Sequence, residues 1–441
     1  MEFWFGVGVI VVGIIVSIAL HEIGHLVPAK LFGVRVTDYF VGFGKTLWST
    51  KRGETEYGVK MLPLGGFVRM VGMFPPARAE SAHASERTGV RGWMDRAAQD
   101  ARTFTAQEVV PGQEHRSFYA LTVPRKLGVM FGGPVMNLII AAVLFAIILT
   151  TIGQLMPTNR LGSVSECVLP AGESRECTDT DPAAPAHQGG LEPDDVIVSW
   201  GGTAVSGWED VSEAIVQGGT GPAAVVVERA GEEVTLTVTP ALAERPMVDD
   251  GGRPVLGPDG QVRTTQVPFV GISPAGELVR QPITAVPEVV WNVFSGTVRV
   301  VVTLPQRLVG ITQSLLGNAE RDPGVMGLIG VGRFAGEIAS VELSDYGPAE
   351  RTADMLSLIA SLNMALFVFN MIPLLPLDGG HIAGALFEGA RRRVAGLFGR
   401  ADPGPVDTAR LMPLTYVVVI VMIGMSLLLA VADIIDPITL T

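Results

Sequence analysis

His21-Glu22-Ile23-Gly24-His25 sets two imidazoles and a carboxylate within five residues. On a helix, positions i and i+4 share a face. His21 and His25 can therefore reach one ion while Glu22 stands beside them at the same height. The chemistry available to such a set is metal-assisted hydrolysis, with Glu22 moving the proton. Two imidazoles leave a tetrahedral zinc short of a third protein ligand and a water, so the chain must supply one more. Of the other histidines, His83, His115 and His187 fall in polar or exterior stretches and read as surface residues. The stronger candidate is Asp378, in Asn370-Met371-Ile372-Pro373-Leu374-Leu375-Pro376-Leu377-Asp378-Gly379-Gly380-His381, with His381 as its competitor.

These residues sit at the ends of apolar runs. The 441-residue chain is 48% hydrophobic and 17% charged, where soluble domains carry about a quarter charged residues, so part of it is solvated by lipid. A helical crossing needs roughly 20 apolar residues. Four segments qualify: 3–26, 127–155, 353–375 and 414–434. The first lacks a basic n-region and a small-residue cleavage site, and is expected to be retained. Lys30, Arg35 and Lys45 follow the first span, Arg116, Arg125 and Lys126 precede the second, and Arg391-Arg392-Arg393 separates the third from the fourth. Basic residues near span ends mark the inner side. Residues 157–282 hold seven Arg and no Lys against nineteen Asp and Glu, a deficit equal to the chain's net charge of −12. That stretch is expected outside, with both termini. The first and third spans then run the same way and bring His25 and Asp378 to the same inner depth. The acidic balance excludes a nucleic-acid binder, which needs a basic face. Cys167 and Cys177, the only cysteines, both fall in the exterior stretch, where an oxidising compartment would permit a disulfide.

At this point the sequence resembles the site-2 protease family of intramembrane zinc metalloproteases, particularly the bacterial branch that cleaves anti-sigma factors. The residues that carry the resemblance are His21 to His25 within a first span, Gly133-Pro134 and Asn137 in a second, and Asn363, Asn370, Pro373, Pro376, Leu377, Asp378 and Gly379 in a third. The resemblance implies one zinc per chain on His21, His25 and Asp378, and Glu22 as catalytic acid and base. Asn370, Asn363 and Asn137 become candidates for substrate or active-site contacts, although an asparagine inside a span can equally serve as a helix-to-helix hydrogen bond. Zinc would acidify water and polarise the scissile carbonyl while Glu22 takes a proton and returns it to the leaving amine. A transmembrane segment would be cut in a single-span partner such as an anti-sigma factor, in a bacterial inner membrane. The alternative is a non-catalytic membrane receptor with a structural metal. Such a site would be closed by four protein ligands and would have no need of Glu22.

The expected fold is a polytopic α-helical membrane protein of four spans, with both termini outside. Its parts are a first span with the HExxH (1–27), a cytoplasmic loop (28–126), a second span (127–156), a third span with the Asp ligand (353–376), a cytoplasmic loop (377–410) and a fourth span (411–435). Between Asp38 and Met73, apolar residues alternate on both sides of Lys51-Arg52-Gly53 and close on an apolar Leu62-Pro63-Leu64-Gly65-Gly66-Phe67-Val68. This predicts a β-hairpin. By the resemblance it is re-entrant and lines the zinc cavity, with Gly65, Gly66 and Phe67 offering an edge to an unwound substrate; a small sheet on the membrane surface is the alternative. Residues 74–117 lack sustained periodicity and read as a loosely ordered insertion. Residues 158–275 resemble a PDZ domain of the bacterial protease type, an α+β fold that would either bind a peptide or act as a steric gate. It has Asp194 where glycine is usual, and Phe269-Val270-Gly271-Ile272 as its final strand. Residues 282–316 read as an amphipathic helix pair on the outer leaflet.

Overall fold

The computed structural model describes residues 1–76, 89–169, 177–178, 181–247, 263–317, 321–322, 324–341 and 346–439. In order these form α1 (Glu2–Leu31), β1 (Val36–Arg52), β2 (Thr55–Met70), α2 (Gly89–Glu108), α3 (Val123–Ile147), β3 (Gln154–Val164), α4 (Pro185–Gln188), β4 (Val196–Trp200), β5 (Thr203–Ala204), α5 (Trp208–Gly218), β6 (Ala223–Arg229), β7 (Glu232–Val238), β8 (Ala241–Pro246), β9 (Thr264–Phe269), β10 (Ile272–Val279), α6 (Val286–Leu315), α7 (Leu328–Ser340), α8 (Pro348–Asn370), α9 (Asp378–Leu397) and α10 (Met412–Ile435). The chain divides into two units, 1–152 with 281–441, and 153–280.

The first unit is helical because its apolar runs are long enough to satisfy their own backbone in lipid. Among the described residues, five helices are long and apolar enough to cross a membrane: those of the four expected spans, and Ile283–Leu315. The expected pair at 282–316 is one continuous helix, α6, which keeps Pro305 within it. The third span ends at Asn370, and most of the expected loop after it is the helix α9. Residues 89–108 also depart from expectation. They form α2, whose buried face is Ala97, Ala98, Arg102 and Thr105. Small side chains give little hydrophobic periodicity, and Arg102 is buried only because Asp407 takes its guanidinium at 2.5 Å. Residues 77–88, with His83, lie outside the described residues.

The hairpin is more than two strands. Asp38 to Val41 pair on one side with Gly66 to Arg69 and on the other with Glu56 to Val59, while Trp48 to Arg52 pair with Thr55 to Val59. Gly42 and Gly44, with φ of +96° and +85°, let β1 turn out of line between its halves. The result is a four-segment sheet in which residues 66–70 form an edge. Two hydrogen bonds tie this sheet to α1: Tyr39 Oη donates to Ala19 O at 2.8 Å, and Lys30 Nζ to Tyr57 Oη at 2.5 Å. At its tip, two hydrogen bonds from Arg116 hold the Glu54 carboxyl below the usual range.

The second unit is an antiparallel sheet of order β10-β3-β4-β6-β7, with β5 on β4 and a separate β8-β9 ribbon. Its core is Leu161, Ile197, Trp200, Val211, Val225 and Val227, drawn from alternating strand positions and one face of α5. Asp195 is fully buried and takes two 2.7 Å bonds from Arg229. Asp194 adopts φ +70°, the left-handed conformation that a glycine would otherwise supply. The expected final strand at Phe269 to Ile272 is interrupted: Phe269 ends β9, Ile272 begins β10, and only Val270 and Gly271 lie between them. Gly271, at φ +85°, separates β9 from β10. Cys167 and Cys177 are disulfide-bonded. Most of the turn-rich excursion, residues 248–262, lies outside the described residues.

Candidate functional site

The site begins with a close helix crossing. A Cβ on Gly24 would lie 2.2 Å from Gly132 O, and one on Gly133 would lie 2.2 Å from His25 Nε2. Only glycines let α3 approach the histidine-bearing face of α1 to this depth. The approach lets backbone and side chains of α3 orient both rings. His25 Nδ1–H donates to Val129 O at 2.8 Å, which leaves Nε2 as a bare lone pair. His21 Nδ1 lies 3.0 Å from the Asn137 amide nitrogen, while Asn137 Oδ1 is buried without a partner among the described residues. Turning that amide over satisfies both groups. Oδ1 then accepts from His21 Nδ1–H, and His21 Nε2 becomes a lone pair as well.

Asp378 arrives from the other side. After α8 the chain reverses through Pro373 and Pro376, and α9 opens on Asp378 itself. Gly379 and Gly380 allow the fold-back: Cβ atoms there would meet Ile372 O at 2.2 Å and Leu375 N at 2.6 Å. A carboxylate in a helix's first turn is favoured by the macrodipole. Asp378 Oδ2 stands 3.4 Å from His21 Nε2 and 3.2 Å from His25 Nε2, and the two Nε2 atoms are 3.3 Å apart. Three acceptors facing one another repel unless a cation lies between them, and Oδ2 has no hydrogen-bond partner among the described residues to relieve it. A tetrahedron with zinc–ligand bonds of about 2.0–2.1 Å has edges of about 3.3–3.4 Å. The residues present therefore fit zinc.

Glu22 makes no hydrogen bond among the described residues. Its flank is the hairpin edge: a Cβ on Gly66 would lie 2.8 Å from Glu22 Cγ and 3.0 Å from Ile18 Cγ2. Phe67 stacks between Phe40 and Phe43, at 5.7 and 6.3 Å, and Gly65 lies under the Phe43 ring.

The residues singled out in the sequence thus separate. His21, His25, Asp378, Glu22, Asn137 and Gly66 come together. Asn363 is buried and donates to Ser17 Oγ at 2.9 Å, joining α8 to α1 one turn before His21. Asn370 closes α8 with an amide that makes no hydrogen bond among the described residues. His381 is outside the three-residue ligand group and lies against the Phe74 ring at 6.4 Å. His115 and His187 are exposed. Sequence reasoning missed Val129, which acts through a backbone carbonyl and has no side-chain signal. It also missed Ser17, whose signal was a hydroxyl four residues before His21 in an apolar run.

The family model for peptidase family M50 matches residues 9–400. The chain is 33% identical to the zinc metalloprotease Rip1 of Mycobacterium bovis over 454 aligned residues, covering 100% of both chains. It is 28% identical over 386 residues to the metalloprotease MmpA of Caulobacter vibrioides, covering 86% of this chain and 85% of the other. It is 24% identical over 420 residues to the zinc metalloprotease RasP of Geobacillus kaustophilus, covering 84% and 86%.

Proposed function

Because the chain belongs to peptidase family M50 and is a zinc metalloprotease built as a multi-pass membrane protein, we propose that it hydrolyses a peptide bond within the transmembrane segment of a single-span substrate, such as an anti-sigma factor, in a bacterial inner membrane. The observation that carries this reading is the convergence of His21, His25 and Asp378 beside Glu22 on helices apolar enough to lie in lipid. Zinc supplies Lewis acidity that polarises a carbonyl and acidifies water. The three ligands hold it, Val129 and Asn137 orient the imidazoles, and Glu22 takes the proton from water and passes it to the leaving amine.

A peptide bond in a helix is shielded by its own hydrogen bonds, so the substrate must be unwound first. The free edge at Gly66 to Met70 supports strand addition next to Glu22. Asn370, with its amide unengaged, is a second contact for an unwound backbone.

Four spans with both termini outside is the favoured topology, and α6 is the helix that could alter it. Its approach is anchored where α3 ends, Gln281 N–H donating to Leu149 O at 2.8 Å. Its far end is anchored where α10 ends, Ser314 and Arg321 both bonding Asp436. Both α3 and α10 run away from the basic loops, so α6 starts and finishes on one side and lies along the outer face. The second unit is then the extracytoplasmic domain, PDZ-like, with its excess of acidic charge outside. It acts as a size gate or a peptide receptor for substrate.

The test is zinc content together with cleavage of a single-span substrate in membranes, comparing wild type with Glu22→Gln. The amide keeps the shape but cannot take a proton. Zinc should stay while cleavage falls by at least about a hundredfold; activity within tenfold of wild type sinks the proton-transfer role.

A further inference from the structure

An apolar groove of about 750 Å3 runs along α1 from Phe3 to Ile18, walled by α7 from Leu328 to Glu337 and by Pro63 and Leu366. The fifteen helical rises from Phe3 to Ile18 span about 22 Å, most of a hydrocarbon core of about 30 Å. One end of the groove, at Ile18 and Pro63, lies near Glu22. Ile18 precedes Glu22 by one turn, and it touches the space a side chain on Gly66 would fill. The other end lies where α7 packs on the first turns of α1, Gly336 against Phe3 and Gly6 against Ala335.

Among the described residues that line it, only Arg333 and Glu337 are charged, and both belong to α7. Arg333 donates through Nε to Glu337 Oε1 at 2.9 Å. Its two terminal nitrogens have no partner among the described residues, and its side chain is 40% exposed against 19% for Glu337. A guanidinium with two parallel donors free is shaped to take a carboxylate.

We propose that this groove seats the substrate's transmembrane helix before cleavage, and that Arg333 receives a carboxylate at the end of that helix farther from Glu22. This rests on the proteolytic reading above and adds a specificity determinant to it. The carboxylate is either an Asp or Glu side chain or the substrate's own chain terminus. A lipid tail would fit the apolar wall, but the groove ends at Ile18 and Pro63, near Gly66 and Glu22, where the proteolytic reading needs a peptide. A single apolar helix with an acidic end matches both the wall and its one accessible cation.

The experiment uses the full-length protein in vesicles of zwitterionic lipid, with single-span substrates differing only at the outer end of the span: an acidic side chain with a blocked terminus, a neutral side chain with a free terminal carboxylate, an all-neutral end, and a basic side chain. Wild type should favour one or both carboxylate ends over the basic end by about tenfold in kcat/KM. The better of the two identifies the source of the carboxylate. Arg333→Gln should erase the preference, and Arg333→Glu should reverse it, with zinc content as the check on folding. Absence of an end-charge preference in wild type, or its survival in Arg333→Gln, overturns the proposal. So does a preference abolished by phosphatidylglycerol, which would make Arg333 a lipid-phosphate site. Disulfide cross-linking of an Ile14→Cys variant to a cysteine in the substrate span separates this idea from the chemistry. Cross-linking that follows end charge without cleavage of any substrate keeps the groove and removes the proteolysis. Cleavage without charge-dependent cross-linking does the opposite.

Discussion

Gly66 borders Glu22 so closely that the Cβ it lacks would stand 2.8 Å from Glu22 Cγ, with Phe40 O another 3.0 Å away on the hairpin side. The hairpin edge and the Glu22 carboxylate are therefore set by one glycine. Gly66→Ala must push either the edge strand or the carboxylate aside, while His21 and His25 on α1, oriented by α3, and Asp378 on α9 stay in place. Cleavage should fall by about a hundredfold, as a misplacement near 1 Å does, with zinc content unchanged. Loss of zinc in Gly66→Ala would mean that the hairpin supports the ligands rather than the substrate.

Asp378→Ala should release zinc or weaken it strongly, because two imidazoles alone leave the ion under-coordinated. His381→Ala should retain it, since His381 lies outside the ligand group. Elemental analysis of the purified variants decides between them. Undiminished zinc in Asp378→Ala together with loss in His381→Ala would transfer the ligand role.

Asn137→Leu removes the amide that orients His21. Losing such an outer partner weakens metal binding by about 10–100-fold, so competition with a chelator should strip zinc from Asn137→Leu well before wild type. Equal resistance to the chelator would show that the orientation of His21 is fixed by packing alone.

Deleting residues 158–275 should relax selectivity rather than stop the chemistry, because none of the zinc ligands belongs to that unit. Full-length substrate should become severalfold better cleaved, relative to a form trimmed outside the membrane. If full-length substrate stays poor and only the trimmed form suffers, the domain recruits substrate instead of gating it.

The sequence alone determined the local chemistry. His21 and His25 share a helix face by spacing with Glu22 beside them, and Asp378 could be singled out as a candidate third ligand because the first and third spans were expected to run in the same direction. Apolar runs longer than 20 residues announce themselves as helices, since lipid leaves the backbone no other solution. The left-handed backbone at Asp194 was legible for the same local reason. What only the tertiary structure decided was everything that depends on approach. Nothing in the sequence says that Gly24 and Gly132 meet, that Val129 offers its carbonyl to His25, or that Asn363 spends its amide on Ser17. The hairpin's folding into four segments depends on pairing across long separation. The helix α2 was invisible because its buried face is made of Ala, Thr and an arginine neutralised by Asp407, more than 300 residues away. The length and composition of α6 permit a crossing, and only the fold supplies the contacts at its two ends, Gln281 with Leu149 and Ser314 with Asp436. Periodicity reports what a segment must bury; which partner buries it is settled by packing between residues far apart in the chain.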